Sequence, residues 1–477
     1  MTDFLSAFKG AFVLNAALTL RSSDAWKRLI EKPVTAKENA NAVERNGKWR
    51  SLIFRYLVVY LLATSADWLQ GAYIYVLYHS YGYSQYDIAI LFVAGFGSSA
   101  VFGSFIGGMA DSKGRRLFVV VYGMAYALSC AFKHFQSFYI LLIGRVLGGI
   151  ATSLLFSIFE SWLIRAHADS NLKSWISKSF TWAAYGNSIV AIASGIIADH
   201  ATETSTMHSV QNTVFHIGGY LVPFDLALVV SVACGVAALY FWEENYGTDE
   251  HSELDGLSEK GSPQHAGGLR TAFFVTIRSR EILLCGIVSC LYEGSMYIFI
   301  FMWTPALMRL SQGEKLPFGL IFSTFMVCSM AGSSLFSIFN EHFPLDYQAL
   351  FVLLLAAASM VMLLVTTEQK SQYTAMNLFE FTIGMYFPVI GCLKSAIVPE
   401  SQRAAIYNLY RIPLNLIVLL GLLADVTPVQ SFTMCLAMLL TAAVMQVILI
   451  RYREKNGRIK HVKLSETDSS TEESDVR

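Results

Sequence analysis

Charged residues are scarce in this chain: Asp, Glu, Lys and Arg make up 15% of its 477 residues, whereas soluble domains average about 25%. Hydrophobic residues account for 54% of the sequence. One buried core cannot hold so much apolar surface, so lipid must solvate much of this protein. The 35 basic and 35 acidic residues cancel, which argues against nucleic acid as a partner.

The signatures of enzyme and metal sites are also missing. The seven cysteines form no CxxC pair, so we interpret them as small apolar packing residues rather than zinc or redox sites. The run 95–100 mimics a dinucleotide-binding fingerprint, but it lies inside an apolar run with no preceding strand. We find no nucleophile–base pair and no phosphate-binding loop. We therefore expect neither an enzyme nor an ATP-driven pump, and no cofactor.

Long apolar runs dominate what is present. About 20 helical residues cross the roughly 30 Å hydrocarbon core of a bilayer. Backbone groups in lipid need internal hydrogen-bond partners, and these runs are too long and too uniform for barrel strands, so each run predicts a helix. The sequence thus predicts an all-α membrane protein with twelve spans in two groups of six. The runs are 52–78, 88–110, 117–132, 138–164, 180–198 and 222–242, then 282–307, 318–339, 349–365, 373–397, 404–423 and 432–450.

Basic residues indicate the orientation and the domain order. Arg and Lys concentrate in the even-numbered connections, which the positive-inside rule places in the cytoplasm. The apolar segment 4–20 is interrupted by Lys9 and Asn15, and both a thirteenth span and an interfacial helix remain open for it. We predict five regions: 1–50 with this segment and a basic cytosolic stretch, a first bundle at 51–243, a cytosolic linker at 244–279, a second bundle at 280–451, and a disordered cytosolic tail at 452–477.

Charges nevertheless recur inside the spans. Asp67 lies within the first run, where insertion costs about 2.5–3.5 kcal/mol. Such charges persist when they face one another or internal water, which favours a conduit for a polar solute. A non-transporting receptor or scaffold is the alternative. The other charges in this position are Arg145, Glu160, Glu293, Glu380, Lys394 and Arg411.

The two halves of the chain resemble each other. An acid followed by aromatic residues occurs at Asp67 and again at Glu293, and a Gly-Ser-Ser triplet occurs at 97–99 and at 332–334. Small residues at matched positions let helices approach closely. Internal repeats of this kind predict two pseudo-symmetric six-helix bundles with a site between them, near mid-membrane.

The loop after the second run carries the strongest short motif. Residues 107–116 read GGMADSKGRR and match the loop signature G-x-x-x-D-x-x-G-R-[KR] of the major facilitator superfamily. The run that starts at Arg145 resembles the fourth-helix motif of that superfamily. The matching loop of the second half, 340–347, lacks the basic pair, so we expect one complete cytoplasmic gate motif. The predicted gate residues are Gly107, Asp111, Gly114, Arg115, Arg116, Glu160 and Lys394.

Within that superfamily, the segments ADWLQ at 66–70, FSIFESW at 156–162, FMWTP at 301–305 and GMYFP at 384–388 resemble the molybdate-anion transporter family. The resemblance implies a twelve-helix carrier that imports molybdate, with the cell membrane as its location and an internal membrane as the alternative. We expect it to be a monomer in the bilayer. Composition and periodicity do not themselves indicate molybdate, and a sugar, an organic anion or a drug-like solute remains open.

A tetrahedral dianion needs cations and hydrogen-bond donors. The expected substrate-binding residues are Arg145, Arg411, Gln70, Asn187, Tyr75 and Tyr297. Carboxylates nearby would repel an anion unless they are protonated or paired. One of Asp67, Glu293 and Glu380 is therefore expected to bind a proton and to couple proton entry to anion entry.

Other roles remain open for several residues. Arg145 is equally a candidate for a structural clasp to Asp111 or Glu160. Three more residues are expected on the outer side without a special role: His134, His216 and Asp225.

Overall fold

The computed structural model describes residues 2–30, 38–103, 105–211, 213–246, 272–311, 313–340, 342–399, 402–424, 426–457 and 459. Most of the predicted linker and the tail beyond residue 459 lie outside the described residues. The described chain is almost entirely helical. A short hairpin lies between two spans on the outer side, and its strands, β1 (His208–Ser209) and β2 (His216–Ile217), have two residues each.

The predicted first bundle is confirmed as helices, with two runs broken in the middle. A turn after Gly71 divides the first run. The second run is described as two helices, one ending at Gly103 and one beginning at Ile106. Gly114 separates the second span from the third because its φ of +107° lies in a region that side chains disfavour. The helices are α2 (Glu38–Gly71), α3 (Ile74–Ser80), α4 (Gln85–Gly103), α5 (Ile106–Lys113), α6 (Arg115–Phe132), α7 (Phe138–Asp169), α8 (Ile176–Glu203) and α9 (Val222–Phe241).

The second bundle repeats the arrangement with unbroken helices. Capping residues mark two of its helix starts: Ser279 accepts from the backbone N–H of Ile282, and Thr427 and Gln430 form a capping box. The helices are α10 (Arg280–Leu310), α11 (Phe318–Phe339), α12 (Leu345–Val365), α13 (Gln369–Ile397), α14 (Arg403–Leu423) and α15 (Pro428–Lys455).

A further helix, α1 (Thr2–Ile30), precedes the two bundles and packs along α11. At its start, Asp3 forms an ion pair with Lys370 at 3.0 Å, at the outer end of α13. Sixteen residues later, Thr19 Oγ1 lies 3.2 Å from Ser334 Oγ in the cytoplasmic half of α11. Contacts at both depths fit a helix that crosses the bilayer. The structure thus favours the thirteenth span over the interfacial helix, and thirteen described helices are long and apolar enough to span.

The two bundles meet in their outer halves. Helices α8 and α11 cross so closely that Ser323 Oγ donates to the carbonyl of Ile192 at 2.8 Å. Near the outer surface, Gln85 Nε2 donates to the carbonyl of Val426 at 2.9 Å. The described contacts therefore close the outer side of the interface.

Candidate functional site

An acid, a cation and a tyrosine meet in the middle of the first bundle. The hydroxyl of Tyr126 on α6 donates to Asp67 on α2, and the Arg145 guanidinium on α7 acts on the same carboxylate through its charge. Arg145 Nε donates to the carbonyl of Leu91 at 3.1 Å, and its guanidinium carbon lies 4.8 Å from the ring centre of Phe92. Helix α4 thus holds Arg145 in place, within range for its charge to act on Asp67.

The alternative that Arg145 clasps Asp111 or Glu160 is wrong. Asp111 is paired with Arg115, with 2.6 Å between the charged atoms. Glu160 is exposed, and its charge acts on Tyr56 and Tyr60 of α2. The reason is geometric, since Glu160 lies 15 residues beyond Arg145 on one helix, or roughly 22 Å along its axis.

Gly95 makes the room that Arg145 needs. A Cβ built on Gly95 would lie 2.6 Å from one terminal nitrogen of the guanidinium and 3.0 Å from its central carbon. Any larger residue here would displace the cation. The terminal NH₂ groups of Arg145 make no hydrogen bond among the described residues, so they are available to a ligand.

The second bundle contains a similar cluster. Glu293 on α10 accepts from Lys394 Nζ and from the Tyr386 hydroxyl on α13, each at 3.1 Å. The side chains of Glu293 and Lys394 are 20% and 16% exposed, so this ion pair is largely buried. The sequence predicts a gate role for Lys394, whereas in the structure this residue pairs with Glu293 in the central cluster. Its long side chain reaches back from near the cytoplasmic end of α13.

Arg411 differs from the other two cations. It is exposed on α14, and its charge reaches the hydroxyl of Tyr297. In the described part of the chain it has neither an ion pair nor a hydrogen bond. Tyr297 in turn packs edge-on against Phe96 of the first bundle, with 5.3 Å between ring centres. Arg411 is thus near the contact between the bundles with its donors free.

Glu380 lies apart from these clusters. It is buried on α13 near Tyr292 and Cys328. No described residue forms a hydrogen bond or ion pair with it. It precedes Lys394 by fourteen residues, or about 21 Å along the helix, so it does not join the Glu293 pair.

The predicted neutral donors fall into different environments. Trp68 Nε1 donates to Asn187 Oδ1 at 2.8 Å. The amide nitrogen of Asn187 therefore points away from Trp68, and among the described residues it donates to no acceptor. Gln70 Nε2 donates to the carbonyl of Ala66 in its own helix. Tyr75 is buried against Phe301 in the outer contact. Asn187 and Tyr297 are therefore better placed than Gln70 and Tyr75 to contact a solute.

The gate motif forms a network inside the first bundle. Arg115 Nε donates to Asp111 Oδ1 at 2.8 Å, and one terminal nitrogen of Arg115 donates to the carbonyl of Ser161 at 3.1 Å. The backbone N–H of Arg116 donates to Glu244 Oε1 at 2.7 Å. A Cβ on Gly114 would lie 2.6 Å from the Glu244 carboxyl carbon. A Cβ on Gly107, by contrast, would have nothing within 4 Å.

Glu244 and Asn245 are the residues that the sequence analysis missed, because they follow α9 in a stretch of linker composition. Glu244 accepts from the first backbone N–H groups of α6, where a helix favours negative charge. Asn245 accepts from the backbone N–H of Arg115 through its carbonyl at 3.1 Å. The available signal was an acid directly after the sixth span, Glu244, which lies 3.7 Å from Arg116 of the basic pair.

The second half also has a cytoplasmic clasp, although its loop lacks the basic pair. Asp346 at the start of α12 lies 3.3 Å from Arg453 near the end of α15, and their side chains are only 5% and 8% exposed. Gln446 Nε2 donates to the Asp346 carbonyl at 2.9 Å. Acid and base have exchanged places relative to the first half. The second half therefore has a clasp at this end without the loop motif.

On the outer side, His134 has more contacts than we expected. Its Nε2 lies 2.9 Å from Asp225 Oδ1, and its Nδ1 lies 2.8 Å from the carbonyl of His216 in β2. Burial lowers the pKa of His134, but hydrogen bonds to Asp225 and His216 outweigh burial, so its pKa is raised. His134 thus ties the α6–α7 loop to α9 and to the hairpin.

Comparisons with known proteins agree with this architecture. A family model described as "Sugar-tranasporters, 12 TM" matches residues 30–383. Solved structures with the same fold include a bacterial homologue of the human lysosomal transporter Spinster, with 14% identity and a TM-score of 0.62 over 86% of this chain and 98% of that one. A peptide transporter has 13% identity and a TM-score of 0.65 over 86% and 95% of the two chains.

Curated relatives are more similar in sequence. The molybdate-anion transporter of Takifugu rubripes is 32% identical over 437 residues, and that of Xenopus tropicalis is 34% identical over 423 residues. Each comparison covers 86% of both chains. The relative of the same name from Danio rerio is 32% identical, with 88% of both chains covered. This chain therefore belongs to the molybdate-anion transporter family of the major facilitator superfamily, and it is a multi-pass membrane transporter rather than an enzyme.

Proposed function

We propose that this transporter imports molybdate by alternating access of its two bundles, coupled to protons. The observation that carries the proposal is that each bundle holds an acid, a cation and a tyrosine in one cluster, although the tyrosines lie on different helices of the two bundles. Two guanidinium groups near these clusters, those of Arg145 and Arg411, have donors with no hydrogen-bond acceptor in the described part of the chain. Paired guanidinium donors suit a tetrahedral oxyanion.

The two arginines divide between the bundles. Arg145 belongs to α7 of the first bundle and Arg411 to α14 of the second. An anion bound by both would draw the bundles together, and its release would let them part. The amide nitrogen of Asn187 and the hydroxyl of Tyr297 would complete the donor set. Opening of the outer contacts as the bundles rock about this site would give alternating access.

Charge balance suggests how protons enter the cycle. Arg145, Lys394 and Arg411 face two carboxylates, Asp67 and Glu293, so the central clusters carry one net positive charge. One bound proton raises this to two, which balances a dianion. Protonation of Glu293 would also release Lys394 as a third donor. Asp67 and Glu293 are therefore favoured over the more distant Glu380 as the coupling site.

The proposal is tested by uptake of labelled molybdate into proteoliposomes with and without an inward proton gradient. We expect gradient-driven uptake, competition by tungstate more than by sulfate, and loss of binding in Arg145→Gln and Arg411→Gln. Uptake that ignores the gradient and survives Asp67→Asn, Glu293→Gln and Glu380→Gln in turn would contradict proton coupling. Expression in cells that lack molybdate import, with surface labelling, tests the cell membrane against an internal membrane.

A sugar is the second candidate, because the family model carries that description. A neutral solute needs hydrogen-bond donors and acceptors but no free cations. Arg411, which has no ion pair among the described residues, therefore favours an anion. Competition by a panel of sugars against molybdate uptake distinguishes the two candidates. In a sugar carrier, millimolar sugar would inhibit molybdate uptake, or no molybdate uptake would be measured even without sugar.

A further inference from the structure

We infer that Asp199 is the latch of the outer gate, and that a proton bound there from outside releases it. Asp199 lies near the outer end of α8, away from the acids of the central clusters. The inference rests on the proposed alternating access and adds a second proton-binding position to it.

The carboxylate of Asp199 joins the two bundles directly. Its Oδ1 accepts from the Tyr73 hydroxyl at 2.7 Å, within the first bundle. The same oxygen accepts from the backbone N–H of Gly319 at 3.1 Å, within the second bundle. Gly319 is the second residue of α11, where the N–H groups have no partner in their own helix and the helix dipole favours an anion.

Two glycines bring this carboxylate within reach. A Cβ on Gly319 would lie 2.2 Å from the carbonyl oxygen of Gly195 on α8. A Cβ on Gly195 would lie 2.3 Å from Ser323 Oγ. Helices α8 and α11 are therefore in backbone contact here, and any separation of the bundles on the outer side withdraws the Gly319 N–H from Asp199.

The charged and titratable groups around Asp199 do not neutralise it. Its own helix contributes Glu203 and His200, and the packed elements contribute Tyr73, against which Tyr220 stacks. No Lys or Arg among the described residues pairs with it. The ionised carboxylate is held by hydrogen bonds alone, and such bonds are about twice as strong to a charged acceptor as to a neutral one. A bound proton therefore weakens the latch and favours an outer gate that is open.

The latch is tested by electron–electron distance measurements between spin labels at Tyr86→Cys and Val429→Cys. These exposed positions flank the Gln85–Val426 contact at the outer surface. Cys392, the exposed native thiol among the described cysteines, is replaced by Ser. In this parent we expect a short distance at pH 7.5, and a ratio of long to short distances that rises about tenfold at pH 5.5.

Asp199→Asn should show the long distance at both pH values and no response to pH. Glu203→Gln and His200→Gln are matched controls on the same helix and should respond as the parent does. Should Asp199→Asn fail to fold, Tyr73→Phe removes one donor and should give a smaller shift in the same direction. An Asp199→Asn protein with the parent's distances, or with the parent's pH response, would overturn the latch.

Uptake measured on the same samples separates this inference from the proposed function. A parent that opens with pH but carries no molybdate would refute the substrate and leave the latch intact. A parent that transports molybdate while Asp199→Asn keeps normal distances would refute the latch alone.

Discussion

Replacing Gly95 by alanine tests whether the position of Arg145, rather than its presence, determines transport. The new methyl group would lie 2.6 Å from a guanidinium nitrogen, whereas ordinary contacts begin at 3.4 Å. The guanidinium must therefore move by on the order of 1 Å, and displacements of this size at a binding site can cost about 100-fold in rate. The shift also breaks the 3.1 Å bond from Nε to the Leu91 carbonyl, which contributes roughly 1.5–3 kcal/mol as a charged hydrogen bond.

The fold itself should tolerate this substitution. The methyl group meets the tip of a flexible side chain rather than backbone, and alanine in a helix interior is favoured over glycine by about 1 kcal/mol. We therefore expect initial molybdate uptake to fall by about 10- to 100-fold while the melting temperature of the purified protein stays within a few degrees.

Gly97→Ala is the matched control, because a Cβ at Gly97 has nothing within 4 Å. It adds the same methyl group to the same helix two residues later and should transport as the parent does. Normal uptake by Gly95→Ala, at normal protein level, would show that Arg145 need not occupy its observed position. Equal losses in both variants would point to α4 packing instead.

Three further predictions concern the second cluster, the cytoplasmic gate and the outer loops. Lys394→Met should lower the free energy of unfolding by about 3 kcal/mol because it leaves Glu293 buried without its cation. Adding Glu293→Gln should restore most of that stability, as measured by thermal melting of the single and double variants. Gly114→Ala should lower the melting temperature and speed proteolysis between α5 and α6, since it combines a φ of +107° with a 2.6 Å clash; Gly107→Ala should do neither. Because the pKa of His134 is raised from 6.5, its stabilisation is full below pH 6.5 and is lost as pH rises through the higher value. Amide exchange in 208–217, corrected for intrinsic rates, should therefore speed up above that pH in the parent, and His134→Gln should abolish the change.

The helices could be predicted because the bilayer requires long apolar runs with internal hydrogen bonding. The α1 segment could not be decided in this way. Its mean hydropathy is marginal and Lys9 and Asn15 interrupt it, so local sequence permits both a span and a surface helix. The ion pair of Asp3 and the contact of Thr19 with Ser334 favour the span through tertiary packing.

The candidate site could be predicted in its residue types and less well in its pairings. An acid and a cation on matching helices of each half were visible in the sequence. Their partners were not, because a pairing such as Lys394 with Glu293 depends on how far a flexible side chain reaches between helices. Asp199 escaped notice for a similar reason. It lies close to a helix end, where a carboxylate usually faces water, and only the crossing of α8 with α11 gives it a partner in the other bundle.

The second cytoplasmic clasp shows why a motif search finds one half of this transporter and overlooks the other. A motif specifies the sign of a charge at each position, whereas an ion pair requires only that the two signs be opposite. The first half places bases on the loop and an acid after α9, and the second half places Asp346 at the loop and Arg453 on α15. Exchanging both charges keeps the attraction but erases the sequence signature. What repeats in this molecule is therefore the position of the clasp at the cytoplasmic end of each bundle. A sequence search for it should look for two opposite charges in each half, one at the second connection and one at the end of the sixth helix.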